Sequence, residues 1–129
     1  MQKSPQITQE NLESALADEL IGIKSPTLLT PEAKKKTAYH ESGHAIVSLM
    51  TPYARNVFQA TILPRGDAAG LVVTYPESEY STSKAQLLAY IDTCLAGKIA
   101  EEIFYGKDNV SSGIYSALQK YFVLLLTFH

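Results

Sequence analysis

No run of apolar residues in this 129-residue chain is long enough to span a bilayer; the longest, residues 121–128, falls well short of the roughly 20 required. No basic-then-apolar leader opens the chain, so if the protein works at a membrane, its anchor is expected outside these residues. Cysteine is almost absent. Cys94 alone cannot form an internal disulfide, and its apolar, helical surroundings favour a buried structural thiol over a nucleophile. Excess charge is lacking too: 11 Lys and Arg against 13 Asp and Glu give a net charge of −2, and no nucleic-acid surface is expected. The one basic run, Lys34-Lys35-Lys36 beside Glu32, reads as the solvated face of a helix and needs no partner. No loop of the form G-x-x-x-x-G-K-[ST] occurs, which excludes ATP hydrolysis by that route. Internal repeats and low-complexity tracts are also missing.

What is present suits one compact domain or pieces of two. Apolar residues make up 46% and charged residues 19% of the chain, enough to bury a core and too little charge for wholesale disorder. Four helices and a short β-hairpin are expected. The first helix covers residues 9–22, capped by Thr8, with an apolar stripe of Leu12, Ala15, Leu16 and Leu20. Residues 22–29 read as a linker, with a domain break near residue 25. The second helix starts at Thr30 as cap, with Pro31 at the first helical position and Glu32 in the first turn; it runs to about Met50, and Pro52 closes it. Ala60-Thr61-Ile62-Leu63 and Leu71-Val72-Val73-Thr74-Tyr75 are strand-like, joined through Pro64-Arg65-Gly66-Asp67 and Gly70. After a polar loop over residues 76–80, Ser81 or Thr82 caps a third helix on which Leu87, Ile91, Leu95, Ile99 and Ile103 recur every four residues. Gly106 ends it. Residues 112–129 read as a fourth helix, apolar almost all round.

The second helix carries the chemistry. Residues four apart on a helix share a face, so His40 and His44 can both turn an imidazole nitrogen towards one zinc ion. Glu41 is carried to the flank of that site, where it can serve as general base on a zinc-activated water attacking a peptide carbonyl. Gly43 and Ala45 keep the neighbouring positions small, as a helix packed under a substrate cleft requires.

The wording Ala38-Tyr39-His40-Glu41-Ser42-Gly43-His44-Ala45 resembles the signature of the FtsH-type, ATP-dependent, membrane-bound zinc metalloproteases. Ala60-Thr61-Ile62-Leu63-Pro64-Arg65-Gly66 with Gly70 resembles that family's hairpin beside the cleft. Gly97-Lys98-Ile99-Ala100-Glu101-Glu102-Ile103 resembles its central helix, and Tyr105-Gly106-Lys107-Asp108-Asn109 the loop after it. The resemblance covers roughly residues 33–113 and leans towards the mitochondrial i-AAA proteases. It implies a zincin-like peptidase domain, mainly α with a small β-hairpin, with zinc held by His40 and His44 and Glu41 as the catalytic residue. It also implies that residues 1–24 are a remnant of the last helix of a preceding AAA ATPase module with its linker, and that residues 25–129 are peptidase domain. Unfolded or membrane proteins are the implied substrates and homologous AAA protease subunits, usually in a hexamer, the implied partners. The implied location is the mitochondrial inner membrane, with a bacterial or plastid membrane as the alternative.

The chain departs from the family's pattern at one position that matters. The resemblance implies a third zinc ligand, an aspartate in a Thr-Gly-Ala-x-x-Asp segment, but the matching stretch is Ser112-Gly113-Ile114-Tyr115-Ser116-Ala117. A methyl group cannot ligate zinc, and Ala117 leaves two protein ligands where catalytic sites use three. Glu101 and Glu102 on the third helix are expected to be solvated or to support the ligands from behind; Asp92, Asp108 and His129 are weaker substitutes. Agreement stops abruptly after Gly113, so the domain is expected to be C-terminally truncated, as a frame change, an alternative exon or a shortened gene would make it. The leading expectation is a partial metalloendopeptidase domain impaired on its own. The alternative is a non-catalytic subunit or docking partner of a homologous AAA protease, and a stand-alone zinc hydrolase is weaker still.

Overall fold

The computed structural model describes residues 6–66, 68–75 and 82–112, with backbone only for Leu20 and Ile21. Ala117, His129 and nearly all of the expected fourth helix lie outside the described residues, as does the polar loop over residues 76–80. The elements run α1 (Gln9–Ile21), α2 (Pro31–Met50), β1 (Val57–Thr61), β2 (Leu71–Thr74) and α3 (Lys84–Tyr105), followed by a single 3-10 turn, Lys107–Asn109. The described chain is therefore mostly helical with one two-stranded antiparallel hairpin.

Each helix begins where a side chain satisfies its first free N–H groups. The Thr8 hydroxyl accepts from the Asn11 N–H and the Asn11 side chain accepts from the Thr8 N–H, a reciprocal cap on α1. The Thr30 hydroxyl accepts from the Ala33 N–H on α2, a one-way cap, with Pro31 at the first helical position. On α3 the cap is Ser83, not the expected Ser81 or Thr82. Ser83 accepts from the Gln86 N–H, and Gln86 reaches back to the Ser83 N–H at 2.8 Å. Only Ser83 has a glutamine three residues on, and that reciprocity selects it. Gly106 ends α3 as expected, with φ of 80°, a conformation that costs a residue with a side chain.

The hairpin is shifted from its expected limits. β1 starts at Val57 and ends at Thr61, so Ile62 and Leu63 belong to the turn. Thr61 pairs with Leu71, Ala60 with Val72 and Gln59 with Val73; the register then slips at Phe58 before Val57 meets Thr74. Such a bulge strengthens the strand twist and lets the pair wrap onto a helix.

The apolar stripes mark the packed faces only in part. On α3, Leu87 at the start of its four-residue stripe is buried, but Ile103 at its end is 73% exposed, and there Ala96, Gly97 and Glu101 are buried instead. On α1, Leu12 and Leu16 are exposed and Ala17 is the buried residue. Polar contacts hold α1 instead. The buried Arg65 guanidinium pairs with Asp18 and donates to the Gly22 carbonyl at 2.9 Å. Ser25 N–H donates to the Pro64 carbonyl at 2.8 Å and Gly66 N–H to the Ile23 carbonyl at 3.3 Å. The expected linker is thus tied to the hairpin turn by its own backbone. Cys94 is half-buried on α3.

The close contact in the fold is α2 against α3. A β-carbon built on Gly43 would stand 2.5 Å from the Ala96 carbonyl oxygen and 2.8 Å from the Ala100 methyl. Backbone cannot move aside as a flexible side chain can. We therefore expect Gly43→Ala to lower stability: overpacking of about 1–3 kcal/mol outweighs the roughly 1 kcal/mol that alanine gains in helix propensity. Chemical denaturation of the two proteins checks the sign.

Candidate metal centre

Helix α2 sets His40 and His44 one turn apart, and their rings meet nearly edge-on, with centroids 4.7 Å apart and planes at 74°. Each ring is fixed from behind. His44 Nδ1 lies 2.7 Å from the Thr93 carbonyl oxygen, and His40 Nδ1 lies 2.6 Å from Glu101 Oε1. A carbonyl oxygen only accepts, so His44 Nδ1 carries the proton. Glu101 Oε1 also takes the Ser111 hydroxyl, so it accepts from His40 Nδ1 in the same way. With each Nδ1 engaged from behind, the two Nε2 atoms face each other, 3.0 Å apart.

Two ring nitrogens so placed are held together by a cation shared between them, a proton or a metal ion. Two nitrogens bound to one tetrahedral zinc at about 2.0–2.1 Å would lie about 3.3 Å apart, close to the separation observed. The donor set fits a divalent metal of the zinc type. Burial lowers the His44 pKa; the Thr93 carbonyl opposes that by raising it, and His40 adds a further lowering, so the ring is held neutral as a ligand must be.

Space at the Nε2 atoms comes from α3. A β-carbon on Gly97 would stand 2.4 Å from His44 Nε2 and 2.7 Å from His40 Nε2. Gly97 is therefore the wall of the site, and a glycine in a helix interior is the one sequence signal that could have marked it. Glu41 is buried beside His40. Burial raises its carboxyl pKa, with His40 pulling the other way. The hairpin reaches Glu41 through Gly70, whose added β-carbon would stand 2.8 Å from Glu41 Cγ. His40, Glu41, Ala69, Gly70, Lys36 and Ser111 line a cavity of about 620 Å³.

The structure sharpens several sequence expectations here. Of its two expected roles Glu101 takes the second: it is 1% exposed and supports His40 from behind. Burial by itself raises its carboxyl, but the Ser111 hydroxyl, the Ser111 N–H and His40 together bring it below the ordinary value. Lys36, read as a solvated charge, sits 3.5 Å from Glu101 Oε2 and donates to the Asn109 carbonyl. Glu102 faces Lys107 at 3.7 Å near the surface, and Asp92 lines a separate apolar cavity with Gly43 and Ile46. Among the described residues no group of three or more His, Cys, Asp or Glu is placed to hold a metal ion.

A helix-borne histidine pair with its glutamate, backed by a second helix and flanked by a hairpin, has the form of a metal-dependent hydrolase centre. The model of peptidase family M41 matches residues 27–124. The chain belongs to that family. It is 45% identical over 116 residues to the ATP-dependent zinc metalloprotease FTSH 11, chloroplastic/mitochondrial, of Arabidopsis thaliana, covering 88% of this chain and 14% of that protein. It is 47% identical over 102 residues to the mitochondrial inner membrane i-AAA protease supercomplex subunit YME1 of Saccharomyces cerevisiae, covering 78% of this chain and 14% of that protein. Against the ATP-dependent zinc metalloprotease FtsH of Caulobacter vibrioides it is 40% identical over 115 residues, 88% of this chain and 18% of the relative. The chain thus spans under a fifth of the length of these relatives. Among the described residues no helix is long and apolar enough to cross a membrane.

Gly97→Ala is expected to weaken zinc binding by about 10–100-fold, the range seen when groups behind metal ligands are changed. Its methyl would meet side-chain ring atoms rather than backbone, so folding suffers less than metal binding. A chelator-competition titration together with a thermal melt separates the two effects.

Proposed function

We propose that this chain carries the zinc-dependent endopeptidase centre of an FtsH-type, ATP-dependent protease, with His40 and His44 as metal ligands and Glu41 as general base. The observation that carries this reading is the pair of Nε2 atoms 3.0 Å apart, each ring held by a partner on its far nitrogen. The fold is read as zincin-like, with residues 1–24 as the end of an ATPase module and its linker and residues 25–129 as part of the peptidase domain. The family match that begins at residue 27 supports this division. Relatives named as ATP-dependent zinc metalloproteases, and one named as a mitochondrial inner membrane protease subunit, support zinc as the metal and a membrane as the setting. Unfolded or membrane proteins are then the substrates and homologous subunits the partners.

Zinc, when bound, supplies Lewis acidity and makes water acidic enough to deprotonate near neutral pH. Glu41 stands on the helix next to His40, where its carboxylate takes the proton from the attacking water and later delivers it to the leaving amine nitrogen. Thr93 and Glu101 prevent the rings from turning away. The segment from Ala68 to Gly70 closes the cavity opposite α2, so an extended peptide bond can be presented beside Glu41. Ala117 stands where the third ligand is expected, so hydrolysis by the chain alone is read as weak.

His44→Ala should weaken zinc binding by at least about 100-fold, since it leaves a single histidine at the site. Glu41→Gln should retain zinc while abolishing whatever cleavage of unfolded casein the wild type shows. A wild type that binds zinc no better than His44→Ala would sink the ligand assignment, and cleavage that persists in Glu41→Gln would sink the base.

A further inference from the structure

We infer that Ser111 is a positioning residue for the metal centre, acting on His40 through Glu101; this rests on the reading of His40 as a ligand. A carboxylate removed from water is costly unless both its oxygens are fully hydrogen-bonded. Glu101 is such a group, 1% exposed one turn before the end of α3. Its Oε1 accepts from His40 Nδ1 at 2.6 Å and from the Ser111 hydroxyl at 2.7 Å. Its Oε2 accepts from the Ser111 N–H at 2.7 Å and faces the Lys36 ammonium at 3.5 Å. Ser111 therefore grips both oxygens, one with its side chain and one with its backbone. A carboxylate held at both ends cannot rotate about its own axis, and this fixes the direction in which it accepts from His40.

Ser111 is in turn placed by the turn after α3. The Gly106 N–H closes α3 on the Glu102 carbonyl, and the Asn109 N–H donates to the Gly106 carbonyl at 3.2 Å. The Asn109 side chain donates to the Tyr105 carbonyl at 2.9 Å, and the Asn109 carbonyl accepts from Lys36. Lys36 lies on α2 one turn before His40, so the helix that bears the histidines also holds the turn that steadies them. The chain of contacts runs from the turn through Ser111 and Glu101 to the far nitrogen of His40. Because binding linkage is reciprocal, whatever metal affinity Ser111 would add by fixing Glu101 would be matched by an equal gain in the hold on Ser111 once a metal were bound.

The test is made on the full chain with Ser111→Ala, Ser111→Thr and His44→Ala. Ser111→Ala should weaken zinc binding by about 10-fold, and Ser111→Thr, which restores a hydroxyl, should return it to within a few-fold of wild type. A second readout needs no metal. In ¹⁵N spectra of the zinc-free protein, His40 should be protonated at Nδ1 in wild type and Ser111→Thr, and shift towards a mixture of tautomers in Ser111→Ala. Added zinc should slow amide exchange over residues 106–112 in wild type, and by less in Ser111→Ala. A wild type that binds zinc no more tightly than His44→Ala would overturn the site itself and the role of Ser111 with it. An intact site whose Ser111→Ala affinity and His40 tautomer match wild type would overturn the role of Ser111 alone.

Discussion

Two helices approach closely only where no side chain stands between their backbones, and Gly43 on α2 and Gly97 on α3 provide that opening here. The Gly43 contact brings the helices together. The Gly97 contact converts their nearness into space for two imidazole edges. Were the helices about one methyl group further apart, Thr93 and Glu101 on α3 would no longer reach the Nδ1 atoms of His44 and His40, and the rings would be free to turn. The geometry of the centre is therefore a consequence of backbone packing as much as of the histidines themselves.

That packing buries little hydrocarbon, because the residues at the contact are glycine and alanine. Polar links do part of the holding instead. Glu101 joins α3 to α2 through His40 and Lys36, and to the following turn through Ser111. Arg65 joins the hairpin turn to α1 through Asp18 and the Gly22 carbonyl. In both cases a buried charge is satisfied by partners on another element, which specifies how the elements sit rather than simply adding hydrophobic burial. Several large apolar side chains on α2 and α3, including Ile46, Ile99, Ile103 and Phe104, stay substantially exposed.

The helices and the hairpin were legible because their signals are local. Thr8, Thr30 and Gly106 mark ends by bonding to backbone within a few residues, and strand propensity placed the hairpin to within a few positions. Ser83 was legible as well, in the glutamine three residues beyond it. The apolar stripes were a partial guide: Leu87 is buried as its stripe suggests, but a four-residue repeat shows which residues share a face and not how much of that face meets a neighbour. Towards the end of α3, small residues take the contact. The charges misled for the related reason that composition cannot tell a solvated lysine from one paired across helices: Lys36 and Glu101 are 65 positions apart in sequence and meet only in the fold.

By itself the sequence determined that His40 and His44 share a helix face with Glu41 beside them, and which family the motifs resemble, since all of these follow from residue types a helical turn apart. It also determined that alanine stands at position 117. Tertiary structure alone decided which nitrogen of each ring is offered, because the Thr93 carbonyl and the Glu101 carboxylate come from a different helix. It decided too that Gly97 forms the wall of the site and that Ser111 grips the carboxylate behind His40. Such roles depend on separations of a few ångströms between distant segments, and no local pattern of residues encodes them.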